Sequence, residues 1–349
     1  MLFNKKRFTR SLAVCESVQP ARQRIRAITV ATLMAAMALA ALHRPAHAQE
    51  AAFPTKPVRL IVTYPPGGTV DAVARIIAPK LSARWGQPVI VDNRAGGGGL
   101  IGADILLKSP ADGYTLMVDA SNHAQNPALK KSMPFDTLKD TAPVSLLVKV
   151  PNMLVINPQF EAKTVKDLIA LAKAKPEQVN YASAGNGSSP HLAGELFALM
   201  TKTRMTHVAY RGGGPAMLDV MAGQVPVFFS SLASALPHVR GGKLTAVAVA
   251  GQRRSPVLPD VPTIAESGVP GYEMYEWNAV LAPGGTPPAL LAKISKDIAA
   301  VLADREVNAR LIALGAEVIG STPAELDKYR RAEITKWSTL GKQANIQLD

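Results

Sequence analysis

The residues with most chemical promise in this 349-residue chain stand where an apolar run ends on small residues and a helix opens. In "YPPGGTVDAVAR", Tyr64 ends the run "VRLIVTY", and Pro66, Gly67 and Gly68 lead to Thr69 or Asp71 in a first helical turn. "YASAGNGSSPHLAGELF" repeats the pattern: Ser183, Ala184, Gly185, Asn186, Gly187 and Ser188 precede Ser189, Pro190 and His191 at a second helix start. The first turn of a helix leaves N–H groups unsatisfied and carries partial positive charge, so both junctions suit a carboxylate or a phosphate. A third junction, "YRGGGPAMLDV", places Tyr210, Arg211 and Gly212 together, and an arginine can meet an anion through two parallel hydrogen bonds. Short polar side chains end two more strands, Ser121 and Asn122 in "VDASNH" and Ser230 and Ser231 in "FFSSLAS". Ligands of open α/β sheets bind at the C-terminal ends of strands, where these segments fall. Taken singly, each has a blander reading as a turn that only turns, and Arg211 as a guanidinium in solvent.

Chemistry beyond holding an anion finds little support. "GGGLIG", beginning at Gly97, fits G-x-G-x-x-G, and Asp119 ends the next strand as a ribose-binding acid would. Yet "NRA" separates the preceding strand from the first usable glycine, so the helix would not aim at a pyrophosphate. G-x-S-x-G is absent, and Ser188 and His191 share a turn in which Ser189 and Pro190 read as cap and first helical residue. H-E-x-x-H is missing too, and His191 with Glu195 is an i,i+4 pair without a clear third ligand. His123, His207 and His238 stand isolated and read as polar loop or core residues. The expectation is a site with no catalytic residue, no metal and no cofactor.

Residues 27–42, "AITVATLMAAMALAAL", follow Arg22, Arg24 and Arg26 and lead to "AHA", where Ala46 and Ala48 bracket His47. That is the small-x-small pattern of a secretory cleavage site, and the apolar segment is short for a membrane span. Cleavage is expected after Ala48, leaving a chain that starts at Gln49 and works in the periplasm. Cys15, the only cysteine, goes with the leader, which excludes thiolate catalysis and thiolate metal sites. Eight of the 39 Lys/Arg and one of the 26 Asp/Glu go with it, so the formal charge falls from +13 to +6. No Lys/Arg run interleaved with aromatics remains, which leaves no case for nucleic acid. A modest positive balance suits a small anionic ligand.

Beyond Gln49, strand and helix patterns alternate. "VRLIVTY", "PVIVDN", "YTLMVDA", "VSLLV", "NMLVINP", "VNYASA", "MTHVAY", "VPVFFS" and "LTAVAVAG" read as strands, with helices such as "TVKDLIALAKAKP" between them. This rhythm predicts an α/β fold with mostly parallel sheets. The last third changes character, with two long helices after a proline-rich crossing, one of them opening on the capping box Thr322–Glu325. The expected division is therefore a leader over 1–48, one lobe from 49–148 plus 270–349, and a second from 149–269, joined by a two-segment hinge.

"YPPGGTVDAVAR", "VDNRAGGGGLIGAD", "SPADGYTL", "SAGNGSSPHLAGELF", "YRGGGPAMLDVMAGQV", "LPDVPTIAESGVPGYE" and "APGGTPPALLAKI" stand in the order in which Bug-type receptors carry them. By these motifs the chain, from Phe53 to its end, resembles the extracytoplasmic solute-binding proteins of tripartite tricarboxylate transporters. The resemblance implies a two-lobed periplasmic binding protein of type II-like architecture, each lobe a mostly parallel sheet flanked by helices. It implies a small carboxylate in the interlobe cleft, gripped by the loops at 66–71 and 183–188 through backbone N–H groups and waters. A monomer serving membrane transporter subunits is the expected state. A receptor informing a membrane sensor kinase, or an exported enzyme acting on carboxylates, stands as the alternative. The chain departs from the family with Tyr64 where Phe is common, Arg211 where Lys is common, and Thr141 where an aromatic is usual. Ser230 stands where many members carry Asp, and without that acid a ligand ammonium would lack a partner.

Overall fold

Apolar runs bounded by Gly, Pro and Asn become strands, and the amphipathic stretches between them become helices. The computed structural model describes Met34, residues 53–344, Ile346 and Leu348; the leader and its cleavage site lie outside the described residues. In chain order the elements begin with β1 (Val58–Val62), α1 (Thr69–Trp85), β2 (Val89–Asn93), α2 (Leu100–Leu107), β3 (Thr115–Ala120), α3 (Asn122–Leu129) and the single turn α4 (Thr137–Asp140). Next come β4 (Thr141–Ile156), α5 (Val165–Ala174), β5 (Asn180–Ser183), α6 (Ser189–Thr201), β6 (Thr206–Ala209), α7 (Gly213–Met221), β7 (Val227–Ser231), α8 (Leu232–Arg240) and β8 (Thr245–Val249). The chain closes with β9 (Tyr275–Pro283), α9 (Pro288–Leu302), α10 (Arg305–Ala313), β10 (Glu317–Val318) and α11 (Pro323–Ala344).

The strands run in the order β2-β1-β3-β9-β4-β7-β5-β6, with β8 and β10 also paired to β4. β1 is parallel to β2 and β3, and β5 is parallel to β6 and β7. Between these two parallel sets stand β9 and β4, antiparallel to each other and to their outer neighbours. Each outer set has the strand–helix rhythm read from the sequence; the antiparallel centre comes from the chain crossing over and returning.

One strand differs from expectation. "VSLLV" and "NMLVINP" are not two strands but parts of the 16-residue β4. Its residues from Thr141 to Pro151 pair with β9, and those from Asn152 to Ile156 pair with β7 and β8. Pro151 looks like a break in the sequence, but it stands at the last β9 pair, where its missing N–H interrupts no continuing ladder. The expected boundary at 148/149 lies inside this strand, and the one at 269/270 in the segment before β9.

Two apolar clusters flank the centre. Ile61, Met117, Leu146, Trp277, Leu281 and Leu326 form one; Leu154, Tyr181, Phe197, Phe229, Ile264 and Trp337 belong to the other. Burying a side chain of this size contributes about 1.5–3 kcal/mol. α11 gives Leu326 to the first cluster and Trp337 to the second. Its capping box forms as read, Thr322 N donating to Glu325 Oε2 at 2.8 Å and Glu325 N to Thr322 Oγ1 at 3.3 Å. The unusual Thr141 also finds its reason here: its hydroxyl accepts from the buried Arg330 at 3.0 Å and donates to Thr137 O at 2.6 Å, bonds an aromatic would forgo.

Candidate functional site

A cavity of about 440 Å³ is lined from both parallel sets, by the loop after β1, the end of β3, the loops after β5 and β6, the end of β7, and Glu276 of β9. Five helices begin at its wall: α1 at Gly68 and Thr69, α3 at Ser121, α6 at Ser188 and Ser189, α7 at Gly212 and Gly213, and α8 at Ser231. None of the five has a side-chain cap hydrogen bond. Elsewhere Asp136, Thr164 and Asp304 accept from first-turn N–H groups, while α2 and α9 open on Gly99 and Pro287 without such a bond. The N–H groups left open at the cavity, with the partial positive charge of helix starts, form a field suited to an anion.

Of the residues singled out in the sequence, Tyr64, Pro66, Gly67, Gly68, Thr69, Ser121, Ala184, Ser188, Arg211, Gly212 and Ser230 line this cavity. Ser189, Pro190 and Ser231, named with them, line it too; Asp71, Asn122, Ser183, Gly185, Asn186, Gly187, His191 and Tyr210 do not. Asp71 accepts from Gly67 N at 3.0 Å, Asn93 Nδ2 at 2.9 Å and Arg75 Nε at 2.9 Å, so its carboxylate holds the first loop from behind. Burial pushes Asp71 upward, but the bonds from Arg75, Gly67 and Asn93 outweigh this and hold it below the usual carboxylate range. Gly67 has φ +87°, while Gly68 has φ −84°, so the left-handed requirement in this loop falls on Gly67. Asn122 is engaged away from the cavity, its amide donating to Gly98 O, as does that of Asn126 at 2.9 Å. These amides fill the turn of the G-x-G-x-x-G segment, where a pyrophosphate would have to approach.

The second loop is braced from within. Gly185 N donates to Ser183 Oγ at 3.0 Å, Ser188 Oγ to Gly185 O at 2.6 Å, and Gly187 N to His191 Nδ1 at 3.1 Å. His191 stacks on His207 with ring centroids 4.0 Å apart, and His207 Nε2 lies 2.5 Å from Ser183 Oγ. Burial, with a smaller push from His207, brings His191 down to about 3, and burial brings His207 down to about 4. Both rings are neutral at neutral pH, which lets His191 Nδ1 accept the Gly187 N–H. His191 orients the loop and makes no hydrogen bond to Ser188 among the described residues. Asn186 is exposed, Gly187 is buried where a Cβ would run into Leu348, and the Tyr210 hydroxyl donates to Asp219 at 2.8 Å.

Sequence reasoning did not single out Glu276, Ser234, His238, Phe228 or Met217, all of which line the cavity. Ser231 adds a link across it, its hydroxyl lying 3.0 Å from that of Thr69. Arg211 is exposed at the rim, with no acid paired to it among the described residues.

A family profile described as "Tripartite tricarboxylate transporter family receptor" matches residues 73–346. Protein BugT of Bordetella pertussis is 38% identical over 298 residues, which cover 85% of this chain and 91% of that protein. Among solved structures, an R. palustris protein described with adipate superposes with a TM-score of 0.81 at 37% identity, covering 84% of this chain and 99% of the other. MatC from Rhodopseudomonas palustris with bound malate gives a TM-score of 0.78 at 32% identity, covering 82% of this chain and 99% of the other.

Proposed function

The chain belongs to the tripartite tricarboxylate transporter receptor family, and from that premise we propose that it captures a small carboxylate in the periplasm and presents it to membrane transporter subunits. One observation carries the ligand class: five helix starts without side-chain caps meet at one cavity, with an unpaired arginine at its rim. The N–H groups that the two loops do not bond themselves, at Gly68 and Thr69 and at Ala184 and Ser189, hold the carboxylate, and Arg211 adds a charge-assisted bond as the ligand enters. The relatives described with adipate and malate support a carboxylate.

Binding is the whole of the activity. Ser188 and His191, the nearest approach to a nucleophile and base, are both bonded to the backbone of their own loop. The leader is removed after Ala48, and the exported chain acts as a monomer whose two lobes, 49–148 plus 270–349 and 149–269, close over the ligand. A ligand at a hundredfold excess over its dissociation constant stabilises the folded state by about 2.7 kcal/mol. Thermal unfolding and solution scattering with a panel of mono- and dicarboxylates test this: Tm rises and the radius of gyration contracts. A panel that changes neither, while neutral sugars change both, overturns the reading.

A further inference from the structure

One acid stands in the cavity wall, on a strand that carries neither of the two glycine loops. Glu276 is the second residue of β9, opposite Val150 of β4, and lines the cavity together with Ser230 and Ser231 of β7 and Tyr64 of the first loop. Among the described residues it is the only carboxylate in the cavity wall, and it forms no ion pair. The neighbours that act on it are Asn278 and Ser231, neither of which carries charge. Arg211 lines the same cavity but is not among them. Burial pushes the Glu276 carboxyl up to about 7 although Asn278 and Ser231 pull it down. Tyr64 is raised by burial and by the charges of Asp119 and Glu276, so it remains a neutral phenol. Glu276 is half-buried and faces the cavity, so a ligand that enters there can bring the cation that the surrounding wall does not supply.

We propose that Glu276 forms a second subsite, for a protonated amine, so that this receptor prefers a carboxylate carrying an ammonium group over a dicarboxylate. The proposal rests on the carboxylate reading above: the helix starts hold one end of the ligand and Glu276 the other. An ammonium beside Glu276 gains a charge-assisted bond and fixes the acid in its ionised form. A second carboxylate there is repelled unless Glu276 first takes up a proton. The other titratable or charged groups lining the cavity are Tyr64 before α1, His238 of α8 and Arg211 before α7; Asp119 of β3 lies behind the wall and acts on Tyr64, and the residue of β4 opposite Glu276, Val150, carries no charge.

The test is calorimetry on the exported chain with sets of probes matched in length from three to six carbons: an unsubstituted acid, its ω-amino acid and the corresponding dicarboxylate. The amino acid of the best-fitting length is expected to bind at least tenfold more tightly than its unsubstituted partner, on the scale of one charge-assisted bond. Its affinity should rise roughly tenfold from pH 6 to pH 8, as the ionised fraction of an acid titrating near 7 does. Glu276→Gln should remove both the preference and the pH dependence, so that the ω-amino acid and its unsubstituted partner bind alike. If that variant does not fold, the three-way comparison and pH profile of the natural chain decide alone. A dicarboxylate that binds most tightly, with affinity falling as pH rises, overturns the amine subsite and leaves the carboxylate reading standing. No binding by any probe overturns both.

Discussion

Replacing Asp71 by alanine separates a residue that shapes the binding loop from one that touches the ligand. Its side chain is only 6% exposed, whereas Arg75, its ion-pair partner, is 54% exposed, so the pair itself contributes no more than about 0.5 kcal/mol. The bonds from Gly67 N and Asn93 Nδ2 are made to a charged acceptor, a class worth about 1.5–3 kcal/mol each, and water replaces the exposed Gly67 partner in part. The folded state should therefore lose about 2–3 kcal/mol, a fall in Tm of roughly 3–5 °C for a unit of this size. Binding should suffer through order. A loop residue that must be fixed on binding costs about 1–2 kcal/mol, or roughly 5–30-fold in Kd. Asp71→Asn, which keeps the shape and one acceptor oxygen, should fall between the two. Differential scanning calorimetry and titration with one carboxylate ligand provide the readings. Total loss of binding at an unchanged Tm would mean that Asp71 contacts the ligand, and an unchanged Kd at a lowered Tm would mean that the first loop takes no part.

Gly185 has φ +118°, and a Cβ there would meet Tyr210 O at 3.1 Å, so Gly185→Val should weaken binding at least tenfold with a smaller effect on folding; titration and a melting curve report the two separately, and a variant that binds normally refutes the backbone grip. Arg211→Ala should raise Kd about tenfold to a hundredfold and leave Tm within a degree or two, since the side chain is exposed and unpaired; abolished binding would instead make the arginine the principal anchor. His191 and His207 are depressed in the folded state to about 3 and about 4, so as pH falls below 6.5 the unfolded chain takes up protons that the folded chain refuses. Stability should decline between pH 6.5 and about 4, read as a falling Tm, and His207→Phe should flatten the slope; a Tm independent of pH across that window contradicts the buried neutral pair.

The two glycine loops at the cavity are legible in the sequence because their signals are local. Glycine and proline directly after an apolar run, with a hydroxyl or acid at the first turn, mark Gly67, Asp71, Gly185 and Ser188 without knowledge of any distant partner. Even there, geometry moved the detail: positive φ falls on Gly67 and not Gly68, and Asp71 turns its carboxylate onto the loop backbone. What could not be read depends on register and on long returns of the chain. Glu276 follows an irregular stretch with no period, and only the pairing of β9 with β4 places it at the cavity. His238 looks like any isolated histidine until α8 is set beside β7. Asn122 has the composition of a site residue, yet the close pass of the glycine turn at Gly98 claims its amide. In the sequence Pro151 makes β4 look like two strands, since a proline is a fair stop signal wherever a strand keeps the same neighbour throughout.

That unbroken strand has a mechanical consequence. A hinge of loose linkers swings freely; β4 and β9 instead form a two-ply leaf clamped at each end in an apolar cluster, with α11 laid across both clusters. Motion of one half against the other has to flex that leaf, and it is already notched where the ladder slips between Pro143 and Ser145 and between Leu146 and Val148. The lobe closure proposed above would then bend a stiff element, and the bent leaf would favour return to the open form.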